Sequence, residues 1–289
     1  MTGMFRSALG GALGLSLTLG LVACTDTAQS SSAEETPSSQ NGTSSASGDS
    51  SPSAESVEMS KLPQGGDPVD LNPADFTTEI DNPYWPMKPG TRWTYHEIDE
   101  EGKKLQVVVI VTHETKTLAN GITARVVRDI VSEDGELIED TFDWYAQDSE
   151  GNVWYMGEDT AEFENGKIMT RKGSWEAGID GALPGIAMPA DPQPGLAYRQ
   201  EYYQGKAEDN GEVLSIEEMA EVPFGQFGNV LLTKDTITIE PDVLEYKLYA
   251  KGVGPVLVFG VSGGGGREEL VRKDTVPRNA GTGPLGTKP

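Results

Sequence analysis

Near the C-terminal end, Gly260-Val261-Ser262-Gly263-Gly264 spells the G-x-S-x-G pattern of serine hydrolases. In those enzymes the serine stands between a strand and a helix, and its histidine follows later in the chain. Here two more glycines and a strand-like run follow, and both histidines, His96 and His113, come earlier. The string therefore reads as a flexible hairpin loop. His113 shares a strand face with Leu105, Val107, Val109 and Val111, which reads as a core histidine. There is no Walker sequence and no H-E-x-x-H helix. A single cysteine excludes both an internal disulfide framework and a Cys-based zinc site. No cofactor is implied.

Carboxylates are what remains. From Asp129 to Glu164 there are thirteen acidic residues and no Lys or Arg. Calcium takes roughly six to eight oxygen ligands. Asp148, Glu150 and Asn152 have the i, i+2, i+4 spacing that opens a calcium loop, but position six is Val153 where glycine is needed and position twelve is Asp159. On strands and turns these acids read mostly as a solvated face that also resists edge pairing. A pair of carboxylates can also hydrolyse glycosidic bonds. Glu158 and Glu176, close to Trp154 and Trp175, are the acids that reading would use.

The elements that position these side chains are strands. Leu105 to Thr115, Ile122 to Val131 and Leu137 to Ala146 follow one another across Asn120-Gly121 and Asp134-Gly135. Both pairs tolerate the positive φ of tight hairpins. Further turns are predicted at 149–152, Asn165-Gly166 and Asn210-Gly211. Strands are predicted at Tyr198 to Tyr203, Val213 to Val222, Val230 to Ile239, Leu244 to Ala250, Val256 to Val261 and Glu268 to Val271. No long segment keeps a 3.6-residue apolar period. The fold class is all-β: one antiparallel meander, strongly curved or closed into an open barrel. Alternation places Trp144 with Ile138, Asp140, Phe142 and Ala146, opposite Glu139, Thr141, Asp143, Tyr145 and Gln147. Trp144 reads as core, as does Trp93, which alternates with Tyr95. The stretch Gly173 to Ala197 holds four prolines and five glycines and reads as one long loop, a cover or a ligand lid. Its apolar residues, with a neighbouring tryptophan, give the candidate ligand-binding set Trp154, Trp175, Ile186 and Met188.

The two ends differ from this middle. Ala8 to Leu21 is apolar and uncharged, too short to span a membrane at about 20 residues and suited to a signal peptide. It runs into Leu21-Val22-Ala23-Cys24, which resembles the lipobox of bacterial lipoproteins. That resemblance implies cleavage after residue 23 and acylation of Cys24, giving a palmitate-type membrane anchor outside the cytoplasm. Residues 24–66 follow as a Ser-rich tether with no aromatic residue, unable to offset the entropy of ordering. About 40 such residues span on the order of 35 Å. The β domain is expected at 67–273 and a flexible Pro/Gly-rich tail at 274–289. Lys+Arg 22 against Asp+Glu 46 gives a net charge of −24, which argues against nucleic acid or an anionic membrane surface as partner.

Several strings also carry a family likeness: Asp81-Asn82-Pro83-Tyr84-Trp85, Pro89-Gly90-Thr91-Arg92-Trp93, Asp143-Trp144-Tyr145-Ala146-Gln147-Asp148 and Gly151-Asn152-Val153-Trp154-Tyr155. Gly173 to Gly178, Met188-Pro189-Ala190 and Tyr198 to Tyr202 extend the set. Together they resemble a family of uncharacterised secreted or lipid-anchored bacterial proteins, a likeness that implies no activity. Pro223 to Phe227 and Tyr249 to Gly254 are also similar to LolA-like half-barrel envelope lipoproteins, which implies a concave sheet able to hold an acyl chain. The leading expectation is a lipid-anchored, non-catalytic envelope β module that binds an apolar ligand or a partner protein. An envelope glycan hydrolase, a calcium-stabilised surface protein and a plain spacer are the alternatives.

Overall fold

The computed structural model describes residues 62–264 and 266–287. The expected signal peptide, Cys24 and nearly all of the tether lie outside the described residues. Within them the chain forms sixteen strands: β1 (Phe76–Thr77), β2 (Thr91–Ile98), β3 (Lys104–Thr117), β4 (Thr123–Glu133), β5 (Glu136–Asp148), β6 (Val153–Glu164), β7 (Lys167–Thr170) and β8 (Trp175–Glu176) come first. They are followed by β9 (Leu183–Met188), β10 (Ala197–Arg199), β11 (Glu201–Tyr202), β12 (Asp209–Val222), β13 (Gly225–Ile237), β14 (Glu240–Ala250), β15 (Gly254–Ser262) and β16 (Arg267–Thr275). Every strand pairing among the described residues is antiparallel.

The turn chemistry is where the sequence puts it. Asp134 and Gly135 both have positive φ (51° and 84°), as do Asn165 and Gly166 (52° and 72°), the geometry that matches the twist of the flanking strands. Asn210-Gly211 does not turn. Both residues lie inside β12, where Gly211 faces the ring of Tyr198, and a Cβ there would come within 2.6 Å of it. This glycine serves a close approach, not a bend.

The sheet runs β10-β12-β13-β14-β15-β16-β2-β3-β4-β5-β6-β9-β11. Its two ends are neighbours in sequence. β10 pairs with β12 and β11 pairs with β9, and between them Gln200 donates its N–H to Asp209 O at 2.7 Å. One short segment thus passes from one edge to the other and nearly closes a barrel, leaving a single unsealed seam. Gly185 makes this possible: a Cβ there would lie 2.3 Å from the carbonyl group of Gln200.

Rings cross the interior. Tyr145 on β5 and Tyr249 on β14 both pack on Trp85, at 5.5 and 5.6 Å between centroids. Tyr145 meets Tyr155 at 5.1 Å, and Tyr155 meets Trp175 edge-on at 5.5 Å. Trp85 comes from the segment before β2, so that segment contributes to the core between β5 and β14. Trp93, Tyr95 and Trp144 are buried as expected.

Three boundaries move. Residues 62–66, assigned to the tether, belong to the domain: Leu62 is buried, and Arg199 donates its backbone N–H to Pro63 O and its guanidinium to the carbonyls of Gly65 and Asp67. The stretch 173–197 is not one irregular loop, since β8 and β9 within it add to β6. The tail is held against the outside of the sheet. Arg128 and Asp140 form a fully buried ion pair, and Arg128 also donates to the carbonyls of Gly283, Pro284 and Thr287, while Gly286 N–H donates to Asp140. Composition alone reads this tail as flexible because its contacts are made by backbone groups.

Candidate functional site

Two residues of β6 create the most unusual chemistry in the domain. Asp143 on β5 sits opposite Glu158, and Tyr145 sits opposite Tyr155, so two steps on β5 match three on β6. The extra residue is a β-bulge around Met156 and Gly157, with Gly157 at φ 125°. Regular alternation would send Tyr155 and Glu158 to opposite faces. The bulge turns both inward, where Tyr155 Oη lies 2.8 Å from Asp143 Oδ1 and 2.9 Å from Glu158 Oε2.

This network is sealed. Tyr155 is 0% exposed, Asp143 2% and Glu158 7%. Burial, which disfavours charge, pushes the Asp143 carboxyl up to about 7 against the lowering effect of the Tyr155 hydrogen bond. Burial raises Glu158 well above the usual carboxylate range, with Asp143, Asp209 and Asp129 adding to it. Glu139, also on the inner face of β5, is raised in the same way. Across the interior, burial raises Asp209 on β12 to about 8, although Lys247 opposes the shift. Burial works against the charge of Lys247, yet Asp235 at 2.8 Å and Glu245 at 3.8 Å hold it ionised. The acidic run from residue 129 is therefore a solvated face only in part: eight of its thirteen acids are exposed or half-buried, and five are not. Asp129, Glu139, Asp140, Asp143 and Glu158 are all buried, because both faces of β4 and β5 are covered.

The other sequence candidates resolve individually. Trp154, Trp175, Ile186 and Met188 are all buried in the main hydrophobic core, and Trp154 Nε1 donates to Asp148 Oδ2 at 2.7 Å. Asp148 accepts four N–H donors, from Glu150, Asn152 twice and Trp154. It organises a turn, which accounts for the calcium-like spacing, and among the described residues no acidic or histidine group is arranged to hold a metal. Glu176 is paired with Lys116 at 2.7 Å and accepts from Ala119 N–H, away from Glu158's network. Ser262 Oγ, at the end of β15, donates to Asp242 O on β14. His113 is half-buried beside Gly90 and not in the core, because a register shift between Val111 and Thr115 breaks the alternation on β3.

A second feature is open to solvent. An outer groove of about 600 Å³ crosses β16, β2, β3 and β4 and is lined by His96, Lys104, Gln106, Ser132, Arg267 and Glu269. Register explains the grouping: His96 pairs with Gln106 on one side and Glu269 on the other, and Gln106 pairs with Ser132. None of the four expected ligand-binding residues lines it.

No family model and no curated protein matches the chain. Among solved structures it is similar to a "putative lipoprotein" from Parabacteroides distasonis, with 11% identity and a TM-score of 0.35 over 66% of this chain and 98% of that one. The LolA-like resemblance finds no counterpart among these matches.

Proposed function

We propose that this chain is a lipid-anchored protein of the bacterial cell envelope, and that its β domain is a non-catalytic module that recognises a partner protein. The observation that carries this reading is the Leu21-Val22-Ala23-Cys24 string behind an uncharged apolar run and ahead of a Ser-rich tether. Acylation at Cys24 supplies more than one lipid chain, as stable anchoring requires. The four side chains first considered for an apolar ligand are spent on packing, so recognition falls to the outer surface, where the groove beside His96 and Arg267 is available.

The anchor is tested by expressing the full chain and its Cys24→Ala variant in a bacterial host fed labelled palmitate. Label and membrane association should both vanish in the variant. A wild-type chain that takes up no label, or a variant that stays membrane-bound, would refute the anchor. The module is tested with a photo-crosslinking residue at Gln106, set against one at Glu221 on the β12 ribbon. A discrete adduct at 106 alone supports groove recognition, and equal labelling at both positions opposes it.

A further inference from the structure

Tyr155 Oη lies within hydrogen-bond distance of two carboxyl oxygens, at 2.8 and 2.9 Å, yet a phenol carries one proton. It can donate to only one of them. The second contact is a hydrogen bond only if that carboxyl carries its own proton and donates it to Oη. Two full hydrogen bonds at Oη therefore require two protons on the trio, one on the phenol and one on a carboxyl. Were both carboxyls ionised, two buried negative charges would flank one hydroxyl, an arrangement that low-dielectric surroundings strongly disfavour.

Among the described residues, no cation acts on the trio. From β4 comes Asp129, from β5 Glu139 and Tyr145, from the β11 segment Glu201 and from β12 Asp209, while Tyr249 on β14 acts on Tyr145 and not on the trio itself. Lys247, a buried cation across the interior, is held by Asp235 and Glu245. The trio also sits where the ladder is already interrupted. The β5–β6 register breaks beside it, and β8 crosses over Gly157 so closely that Ala177 N–H donates to Met156 O at 2.9 Å.

We propose that Asp143, Tyr155 and Glu158 form a proton-binding site that fastens β5, β6 and β8 together when occupied and loosens this crossing when the proton leaves, making the domain responsive to external pH. The step is an acid dissociation: the carboxyl O–H bond breaks, the proton passes to solvent, and the electron pair stays on the carboxylate. The burial-driven rise of Asp143 to about 7 puts that release in the range an envelope protein meets. The proton site itself does not depend on the anchor or the partner; that the pH it meets is the external one rests on the proposed envelope location.

The test is infrared difference spectroscopy on the purified full chain titrated from pH 5 to 9, with amide hydrogen exchange at Met156, Gly157 and Ala177 followed in parallel. The wild-type chain should show a protonated-carboxyl C=O band at pH 7 that titrates away on the alkaline side, and protection at the three amides, taken relative to the intrinsic base-catalysed rate, should fall over the same interval. Glu158→Gln replaces one carboxyl with a neutral amide, so it should lose the part of the band due to the trio and show a flatter exchange profile. Asp143→Asn should do the same from the other side. A band that persists unchanged in both variants, or protection in the wild-type chain that stays constant with pH, overturns the proposal. The wild-type titration decides the matter alone should either variant fail to fold.

Discussion

At Gly157 the backbone has φ 125°, and a Cβ would lie 2.3 Å from Trp175 O and 2.9 Å from Glu176 Cα. These are backbone atoms and cannot swing aside. Gly157→Ala therefore combines an unfavourable dihedral, about 1–3 kcal/mol, with a clash that forces β8 off β6. We expect a loss above roughly 3 kcal/mol by chemical denaturation, or no folded protein. Gly166→Ala is the control: its φ is also positive at 72°, but nothing lies within 4 Å, so only the dihedral cost of about 1–2 kcal/mol applies. Equal losses in the two variants would show that the crossing at Gly157 is not the constraint. The same residue shows how far the sequence could be read. Period-two alternation correctly puts Asp143 and Tyr145 on one face of β5. Applied to β6 it separates Tyr155 from Glu158, and only the bulge reunites them. A bulge is written in the close approach of a neighbouring strand, which a single strand's pattern does not contain.

The elements themselves were largely visible, because Asp-Gly and Asn-Gly pairs punctuate runs of β-branched and aromatic residues. Where glycines serve close packing, the same rule misleads, as at Gly211 under Tyr198. Two long stretches escaped: β6 (Val153–Glu164), which carries Tyr155 and Glu158, and the C-terminal segment. The anchor of that segment is the Arg128–Asp140 pair, wholly buried on the outer face of β4 and β5 beneath residues 283–287. Removing one member of such a pair leaves the other charged and buried, which costs about 3–5 kcal/mol, whereas replacing both with apolar residues is often near neutral. We therefore expect Arg128→Met to destabilise strongly and Arg128→Met/Asp140→Leu to recover most of the loss in thermal or denaturant melts. The double variant should nevertheless free the tail, since the guanidinium that binds three tail carbonyls is gone. Limited proteolysis after residue 276 reads this directly. A tail that stays protected in the double variant would mean that Val276 N–H to Gly90 O and the seat of Gly281 on Ile110 and Thr112 hold it instead.

Over the whole molecule, a chain with a net charge of −24 encloses several carboxyls held neutral by burial, and the two facts act on stability in the same direction. Asp143 is raised from 3.8 to about 7 and Asp209 from 3.8 to about 8. Between the unfolded and folded values the native state binds more protons, so stability must fall as pH rises. It is fully present below about pH 4, declines through neutrality and levels off above about pH 8. Each fully buried group contributes on the order of a few kcal/mol to that decline. Repulsion among the ionised surface acids also grows with pH, but exposed charges are screened over about 8 Å at physiological salt while buried ones are screened much less. Denaturation midpoints at pH 5 and pH 8, each at low and high salt, separate the two causes. We expect a lower midpoint at pH 8 throughout, with salt recovering only part of the gap. Full recovery by salt would assign the pH dependence to the surface and leave the buried carboxyls without an energetic role. A residual gap that disappears in Glu158→Gln would instead locate it at the bulge of β6, where one hydroxyl is shared between two acids.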